Sequence, residues 1–149
     1  MAIVGVVIGS KSDTTLIQPA LDMLGELGIE YEFSVISAHR TPEKARNYAT
    51  EAYNNGIEVI IAGAGKAAHL PGVLASWSLI PVIGVPMVSG ELGGMDALLS
   101  IVQMPTGIPV ACVAINGAKN AAILAAQILA LKNDKIKASV IDYRKKFME

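Results

Sequence analysis

Two histidines and an arginine are the residues of this sequence best suited to chemistry on a small anionic molecule. His39 and Arg40 are adjacent in the segment SAHRTP (37–42), and His69 lies in AGAGKAAHLPG (62–72). A histidine can exchange protons near neutral pH, and an arginine can bind a phosphate through two parallel hydrogen bonds. A lone histidine on a turn is more often only solvated. The pairing of His39 with Arg40 favours a functional site over that simpler interpretation.

The segment GSKSD (9–13) offers a second set of polar groups. The hydroxyls of Ser10 and Ser12, with amides at the start of a helix, can receive a phosphate. Asp13 would repel a phosphate, and its carboxylate better suits a sugar diol. The alternative is that Gly9 forms a turn and that Ser12 and Asp13 only cap the helix. The segment matches neither of the common glycine-rich nucleotide-binding patterns.

The segment 62–72 is rich in small residues. Its three glycines, Gly63, Gly65 and Gly72, let the backbone approach a ligand closely and direct amide groups at a carboxylate or at CO₂. His69 can either orient a ligand or be satisfied by the backbone. Lys66 can either add positive charge near an anion or point to solvent.

Short aliphatic runs alternate with segments of helical spacing along the chain. Continuous Val/Ile runs are typical of strands buried on both faces, as parallel sheets require. The pattern predicts a three-layer, doubly wound parallel α/β sheet of flavodoxin-like or Rossmann-like type, within one domain over residues 1–149. We expect about five strands, followed by a long helix over 117–131 and a C-terminal helical extension over 132–149. The predicted strands cover 2–8, 30–36, 57–62, 81–85 and 109–115.

Ligands of such sheets bind outside the carboxyl ends of the strands. The segments 9–13, 37–42, 62–72 and 86–90 each follow a predicted strand, so they should meet at one edge of the sheet. Helix caps support these boundaries. Ser12 or Asp13 is expected to cap the first helix, and Thr41 is expected to cap the second, immediately before Pro42.

The composition excludes several classes of protein. The chain has 149 residues, 12 basic and 13 acidic, so its net charge of -1 gives no electrostatic footprint for DNA or RNA. One cysteine and two histidines leave little for a metal site. The uncharged stretches 67–90 and 97–118 are interrupted by prolines, which argues against a membrane span. We therefore expect a cytoplasmic protein that binds neither nucleic acid nor membrane.

The low charge content also predicts self-association. Charged residues make up 17% of the chain, against about 25% in an average soluble domain. A domain of this size buries only about 70% of its chain surface on its own. Further apolar surface is therefore expected to be covered by other copies of the chain.

Taken in order, these segments resemble the PurE family, and within it the class I enzymes, the N5-carboxyaminoimidazole ribonucleotide mutases. The similarity covers nearly the whole chain, and the combination of SAHRTP, AAHLPG and SIVQMP is highly specific. The resembling segments are GSKSD (9–13), SAHRTP (37–42), AGAGKAAHLPG (62–72), GVP (84–86), SIVQMPTGIPV (100–110) and NAAILAAQIL (120–129).

The resemblance implies an ATP-independent isomerase of purine (IMP) biosynthesis that needs neither metal nor cofactor. Such an enzyme moves a carboxylate from an exocyclic nitrogen to a ring carbon, by way of CO₂ and aminoimidazole ribonucleotide. His39 maps to the catalytic histidine, which gives a proton to the leaving nitrogen and later removes one from the carboxylated carbon. The family typically forms homo-octamers whose pockets are completed by neighbouring subunits.

The resemblance also implies a substrate site. Ser10 and Arg40 are placed near the phosphate, Asp13 near the ribose, and the Gly63–Ala67 loop near the transferred carboxylate or CO₂. The full set of expected substrate-binding residues is Ser10, Ser12, Asp13, Ser37, Arg40, Gly63, Ala64, Gly65, Ala67, His69 and Leu70.

Some features depart from the pattern or leave alternatives open. Lys66 stands where a glycine is usual, and the segment 116–119 is about two residues short. Because freed CO₂ must not escape, we expect a closing lid that includes the loop 87–94. The alternatives are a carboxylase that uses CO₂ directly, which resembles the chain less well, and a non-catalytic nucleotide-binding domain.

Overall fold

The computed structural model describes residues 3–148, in which five parallel strands alternate with helices. The strands pair in the order β2-β1-β3-β4-β5, and every pairing is parallel. This order is the flavodoxin-like one, and it confirms the predicted fold class. The strands are β1 (Val4–Ile8), β2 (Tyr31–Val35), β3 (Val59–Gly65), β4 (Val82–Met87) and β5 (Ala111–Cys112).

Six α-helices cover the two faces of the sheet. Each face of the sheet has its own hydrophobic core. Helices α1, α5 and α6 pack on one face, and α2, α3 and α4 pack on the other. The helices predicted for 117–131 and 132–149 are α5 and α6; residue 149 lies outside the described residues. The helices are α1 (Thr14–Glu26), α2 (Pro42–Glu51), α3 (Leu70–Trp77), α4 (Met95–Val102), α5 (Ala118–Ala130) and α6 (Asp134–Lys145).

The fifth strand is much shorter than the predicted run of 109–115. Only Ala111 and Cys112 pair with β4, because prolines limit the ladder at both ends. Pro109 has no N–H to donate. The carbonyl of Pro86 points to the β5 side of β4, where it accepts from the N–H of Asn116 at 2.7 Å. The N–H and carbonyl of a strand residue point to the same side, so Pro86 has no N–H to donate to β5.

Asp13 and Thr41 occupy the predicted N-cap positions of α1 and α2, but neither side chain makes a capping hydrogen bond. A 3-10 turn over Lys11–Asp13 precedes α1, and the Ser10 hydroxyl accepts from the N–H of Ser12 at 3.3 Å. Asp13 precedes α1 without a side-chain cap, so the prediction that Ser12 or Asp13 caps the helix was wrong. Thr41 does precede Pro42, but its hydroxyl donates to the carbonyl of Ser37 at 2.9 Å instead of capping α2.

A glycine in the central strand makes room for a tyrosine of α2. Gly5 lies in β1, and a Cβ added there would run into the hydroxyl of Tyr48. Within residues 3–148, that hydroxyl is the only buried side-chain oxygen or nitrogen without a hydrogen-bond partner. Its burial, and after it the nearby Glu32 carboxylate, raises the pKa of Tyr48. The contact between β1 and α2 therefore depends on the absence of a side chain at Gly5.

No helix in the described part of the chain combines the length and the apolar character that a membrane crossing would need.

Candidate active site

A cavity of about 440 Å³ opens at the carboxyl ends of β1 to β4. Four loops line it, one after each of these strands, as the alternation of strands and polar segments predicts. The lining residues are Gly9, Ser10, Ser12, Asp13, Ser37, Ala38, His39, Arg40, Ala64, Gly65, Lys66, Ala67, His69, Leu70 and Ser89.

The cavity contains every residue predicted for the site except Gly63. That glycine lies inside β3, where its carbonyl accepts from the N–H of Gly9 at 3.2 Å and a Cβ would meet the methyl group of Met87. Gly63 therefore supports the floor beneath the cavity. The site prediction omitted Ser89, although its position just after β4 was a signal that could have found it.

The two histidines that line the cavity contact each other. Nε2 of His39 and Nδ1 of His69 are 2.7 Å apart, and the rings meet edge to face, with centroids 4.9 Å apart and planes at 86°. A hydrogen bond of this length holds one proton between the facing nitrogens, so one ring donates and the other accepts. The two roles left open for His69 were orienting a ligand and bonding to the backbone; its Nδ1 contacts the side chain of His39 instead of the backbone.

The loop that carries His39 is held by Ser37. The Ser37 hydroxyl accepts from the N–H of Arg40 at 3.1 Å, and its carbonyl accepts from both the N–H and the hydroxyl of Thr41 at 2.9 Å. These bonds fix a tight turn at the carboxyl end of β2. The side chains of His39 and Arg40, which are both exposed, project from this turn.

The loop after β1 combines two hydroxyls with a buried carboxylate. The hydroxyl oxygens of Ser10 and Ser12 are 2.9 Å apart. Asp13 lies behind them with 9% of its surface exposed. Burial raises the pKa of Asp13, and a hydrogen bond from the backbone of Ser10 offsets part of that rise. The exposed hydroxyls suit a phosphate, and the recessed carboxylate suits the hydroxyl groups of a sugar.

The loop after β3 presents a free amide group to the cavity. Lys66 adopts the left-handed conformation, with φ of 52°. Two hydrogen bonds of 2.8 Å continue the turn. The N–H of Ala68 donates to the carbonyl of Lys66, and the N–H of His69 donates to the carbonyl of Ala67. Within residues 3–148, the N–H of Ala67 has no backbone acceptor. The N–H of Lys66 faces the carbonyl of Met87, because Gly65 pairs with Met87 in the parallel ladder. A free amide at a cavity wall can bind an anionic oxygen.

The loop after β4 closes the far wall of the cavity. Met87 is fully buried inside β4, which corrects the expectation that the lid includes it; the part outside the strand begins at Val88. Asn116, itself left-handed with φ of 57°, accepts from the N–H of Val88 at 3.0 Å through its side chain. Farther along, Gly93 and Gly94 have positive φ angles of 61° and 88°.

The described residues contain no cluster of three or more His, Cys, Asp or Glu side chains that could hold a metal ion. The chemistry that the residues of the cavity offer is proton exchange at a histidine pair, beside groups that bind anions.

Comparison with known proteins agrees with this geometry. The family model described as AIR carboxylase matches residues 3–149. The N5-carboxyaminoimidazole ribonucleotide mutase of Pyrococcus horikoshii is 57% identical over 96% of this chain and 81% of its own length. The mutase of Pseudomonas aeruginosa is 54% identical over 96% of this chain and 89% of its own length.

The fold has a solved relative as well. The crystal structure of Treponema denticola PurE superposes with a TM-score of 0.90 at 31% identity, covering 99% of this chain and 92% of that one. These findings confirm the resemblance seen in the loop sequences, and we conclude that the chain belongs to the AIR carboxylase family.

Proposed function

We propose that the chain is an N5-carboxyaminoimidazole ribonucleotide mutase of purine biosynthesis. It would convert the N-carboxylated ribonucleotide to 4-carboxyaminoimidazole ribonucleotide without ATP, metal or cofactor. Relatives that carry this name are 53% to 58% identical over most of the chain. The observation that carries the proposal is the His39–His69 pair, which shares one cavity with anion-binding groups.

The cavity suits a ribonucleotide lying along the sheet edge. Arg40, after β2, and the hydroxyls of Ser10 and Ser12, after β1, would bind the phosphate. Asp13 would bind the ribose. The base would then point toward the loop after β3, where the free amide of Ala67 would receive the carboxylate.

The histidine pair would supply the two proton transfers of the reaction. As the bond between the exocyclic nitrogen and the carboxylate breaks, CO₂ leaves and the nitrogen takes a proton from His39. The ring carbon then attacks CO₂ and forms a carbon–carbon bond. His39 removes the proton from that carbon, so the pair ends in its starting protonation state. His69, through its bond to His39, would hold the ring in the productive orientation.

The intermediate CO₂ must stay in the cavity between these two steps. The free amide of Ala67 after β3 can hold one of its oxygens, and the loop after β4 forms the neighbouring wall through Ser89. Exclusion of water at this stage prevents loss of CO₂ to the solvent.

We further propose that the chain assembles as a homo-octamer. Large apolar side chains are exposed on the single chain, with Leu79 fully exposed and Leu92, Met95 and Leu99 more than half exposed. Surface of this kind is usually covered by a partner. Light scattering at micromolar concentration should give about eight times the 15.6 kDa mass of the chain. A stable monomer would contradict this assembly.

The proposed reaction is tested by an assay with two substrates, each with and without added bicarbonate. We expect the N-carboxylated ribonucleotide to be converted to the C-carboxylated product without ATP, at a rate independent of bicarbonate. Conversion of aminoimidazole ribonucleotide that rises with bicarbonate, with a mutase rate near background, would identify a direct carboxylase instead. Binding of the ribonucleotides without turnover would identify a binding domain.

A further inference from the structure

The backbone at Lys66 is in a conformation that side chains seldom adopt. Its φ of 52° lies in the left-handed region, which glycine reaches without steric penalty and which an L side chain reaches only at a cost in free energy. Asn116, the other such residue in the described part of the chain, has a side chain that is hydrogen-bonded to Val88. Residues held in such strained conformations cluster at functional sites, so the side chain of Lys66 is a candidate for a role in the cavity.

The side chain of Lys66 crosses from one loop to the next. A Cβ placed on Gly90 would lie 3.2 Å from Cε and 3.8 Å from Nζ of Lys66, so the ammonium group is close to the loop after β4. Within residues 3–148, no carboxylate forms an ion pair with it. The lysine is exposed and lines the cavity, which leaves its charge available to a ligand.

The two strong cations that line the cavity follow different strands of the sheet. Arg40 follows β2, at one edge of the sheet, whereas Lys66 follows β3 and extends toward β4. Asp13 is the only carboxylate among the lining residues, and it is buried after β1, between β2 and β3. A ligand with two separate anionic groups matches this distribution of charge.

We propose that Lys66 is a carboxylate-binding residue, whose ammonium group holds the transferred carboxylate while Arg40 holds the phosphate. The inference rests on the proposed function and adds a side chain to the backbone amide of Ala67 in the same loop. That amide would contact the carboxylate from the loop backbone, and the ammonium group would contact it from the side of Gly90. An ammonium–carboxylate bond is stronger than one between neutral groups.

The test measures the affinity of two ligands that differ by the carboxylate alone. Calorimetry would compare 4-carboxyaminoimidazole ribonucleotide with aminoimidazole ribonucleotide, for the wild-type chain and for Lys66→Met. We expect the substitution to weaken binding of the carboxylated ligand about tenfold and to change binding of the other less than about twofold. The control is Lys44→Met, which removes an equal charge from the exposed first turn of α2, outside the cavity. It should leave both affinities unchanged.

A second variant separates the charge from the backbone strain. Lys66→Gly removes both, so it should raise the melting temperature and still lose the preference for the carboxylated ligand. Retention of the full preference in Lys66→Gly, or equal weakening of both ligands in Lys66→Met, would overturn the assignment. A wild-type chain that binds neither ribonucleotide would overturn the inference and the proposed function together. If the wild-type chain shows the expected pattern of binding but no turnover, the inference stands and the proposed reaction fails.

Discussion

Replacing His39 with asparagine is expected to lower the rate of the proposed isomerisation about 10³-fold, because the variant has no group to give and retrieve the proton. Asparagine keeps much of the size of the ring and can still donate a hydrogen bond, so the loop held by Ser37 should keep its shape. Arg40, Ser10 and Asp13 are unchanged in the variant. The affinity for the ribonucleotide should therefore stay within about threefold, which corresponds to about 0.7 kcal/mol.

The matched variant is His69→Asn, which removes the partner and leaves His39 in place. Because His69 is assigned an orienting role through the 2.7 Å bond, its loss should lower the rate less, about tenfold to a hundredfold. Single-turnover measurements at saturating substrate compare the two variants directly. A fully active His39→Asn variant, or a His69→Asn variant that is the more impaired of the two, would show that the proton is carried by another group.

Placing a methyl group on Gly5 is expected to destabilise the fold by about 2 to 3 kcal/mol, in the upper part of the usual range of about 1 to 3 kcal/mol for overpacking a core. The added Cβ would overlap the Tyr48 hydroxyl, and β1 pairs on both sides, so neither the strand nor the helix can shift freely. A loss of this size lowers the melting temperature by roughly 5 to 10 °C in a domain of this length. Urea unfolding monitored by circular dichroism measures it.

Two controls test whether the hydroxyl is the cause. In a Tyr48→Phe background, Gly5→Ala should lose much less stability, because the overlapping oxygen is gone. Gly63→Ala is the comparison in β3, where the added Cβ would meet the end of the flexible Met87 side chain, so the penalty should be smaller. Equal losses for Gly5→Ala with and without the Tyr48 hydroxyl would show that the steric explanation is incorrect.

The central strands β1, β3 and β4 were predictable because they are buried on both faces. Val4 to Ile8 and Val59 to Ala64 are almost completely inaccessible, and burial of this kind leaves continuous aliphatic runs in the sequence. The edge strand β5 was overestimated because an aliphatic run signals burial and not pairing. The ladder there is short because Pro86 and Pro109 have no N–H to donate, which the apolar pattern does not register.

The site was predictable at the level of loops and less so at the level of contacts. Parallel strands bring their carboxyl ends to one edge, so the segments with His39 and His69 had to lie at the same edge, although β1 separates the strands that they follow. The bond between their rings depends on strand register and on the turn held by Ser37, and neither is visible in residue types. The direction of the Lys66 side chain depends in the same way on a left-handed backbone angle.

The hydrogen bonds of Asn116 have a consequence for how the cavity can close. Its N–H binds the carbonyl of Pro86, and its side-chain oxygen binds the N–H of Val88, so the turn before α5 is attached to both ends of the Pro86–Val88 segment. The loop after β4 is therefore not a free flap. A movement that starts at Val88 either carries the first turn of α5 with it or breaks a hydrogen bond worth about 1 kcal/mol. The wall beside Ser89 thus has its hinge beyond Val88, in the stretch that contains Gly90, Gly93 and Gly94.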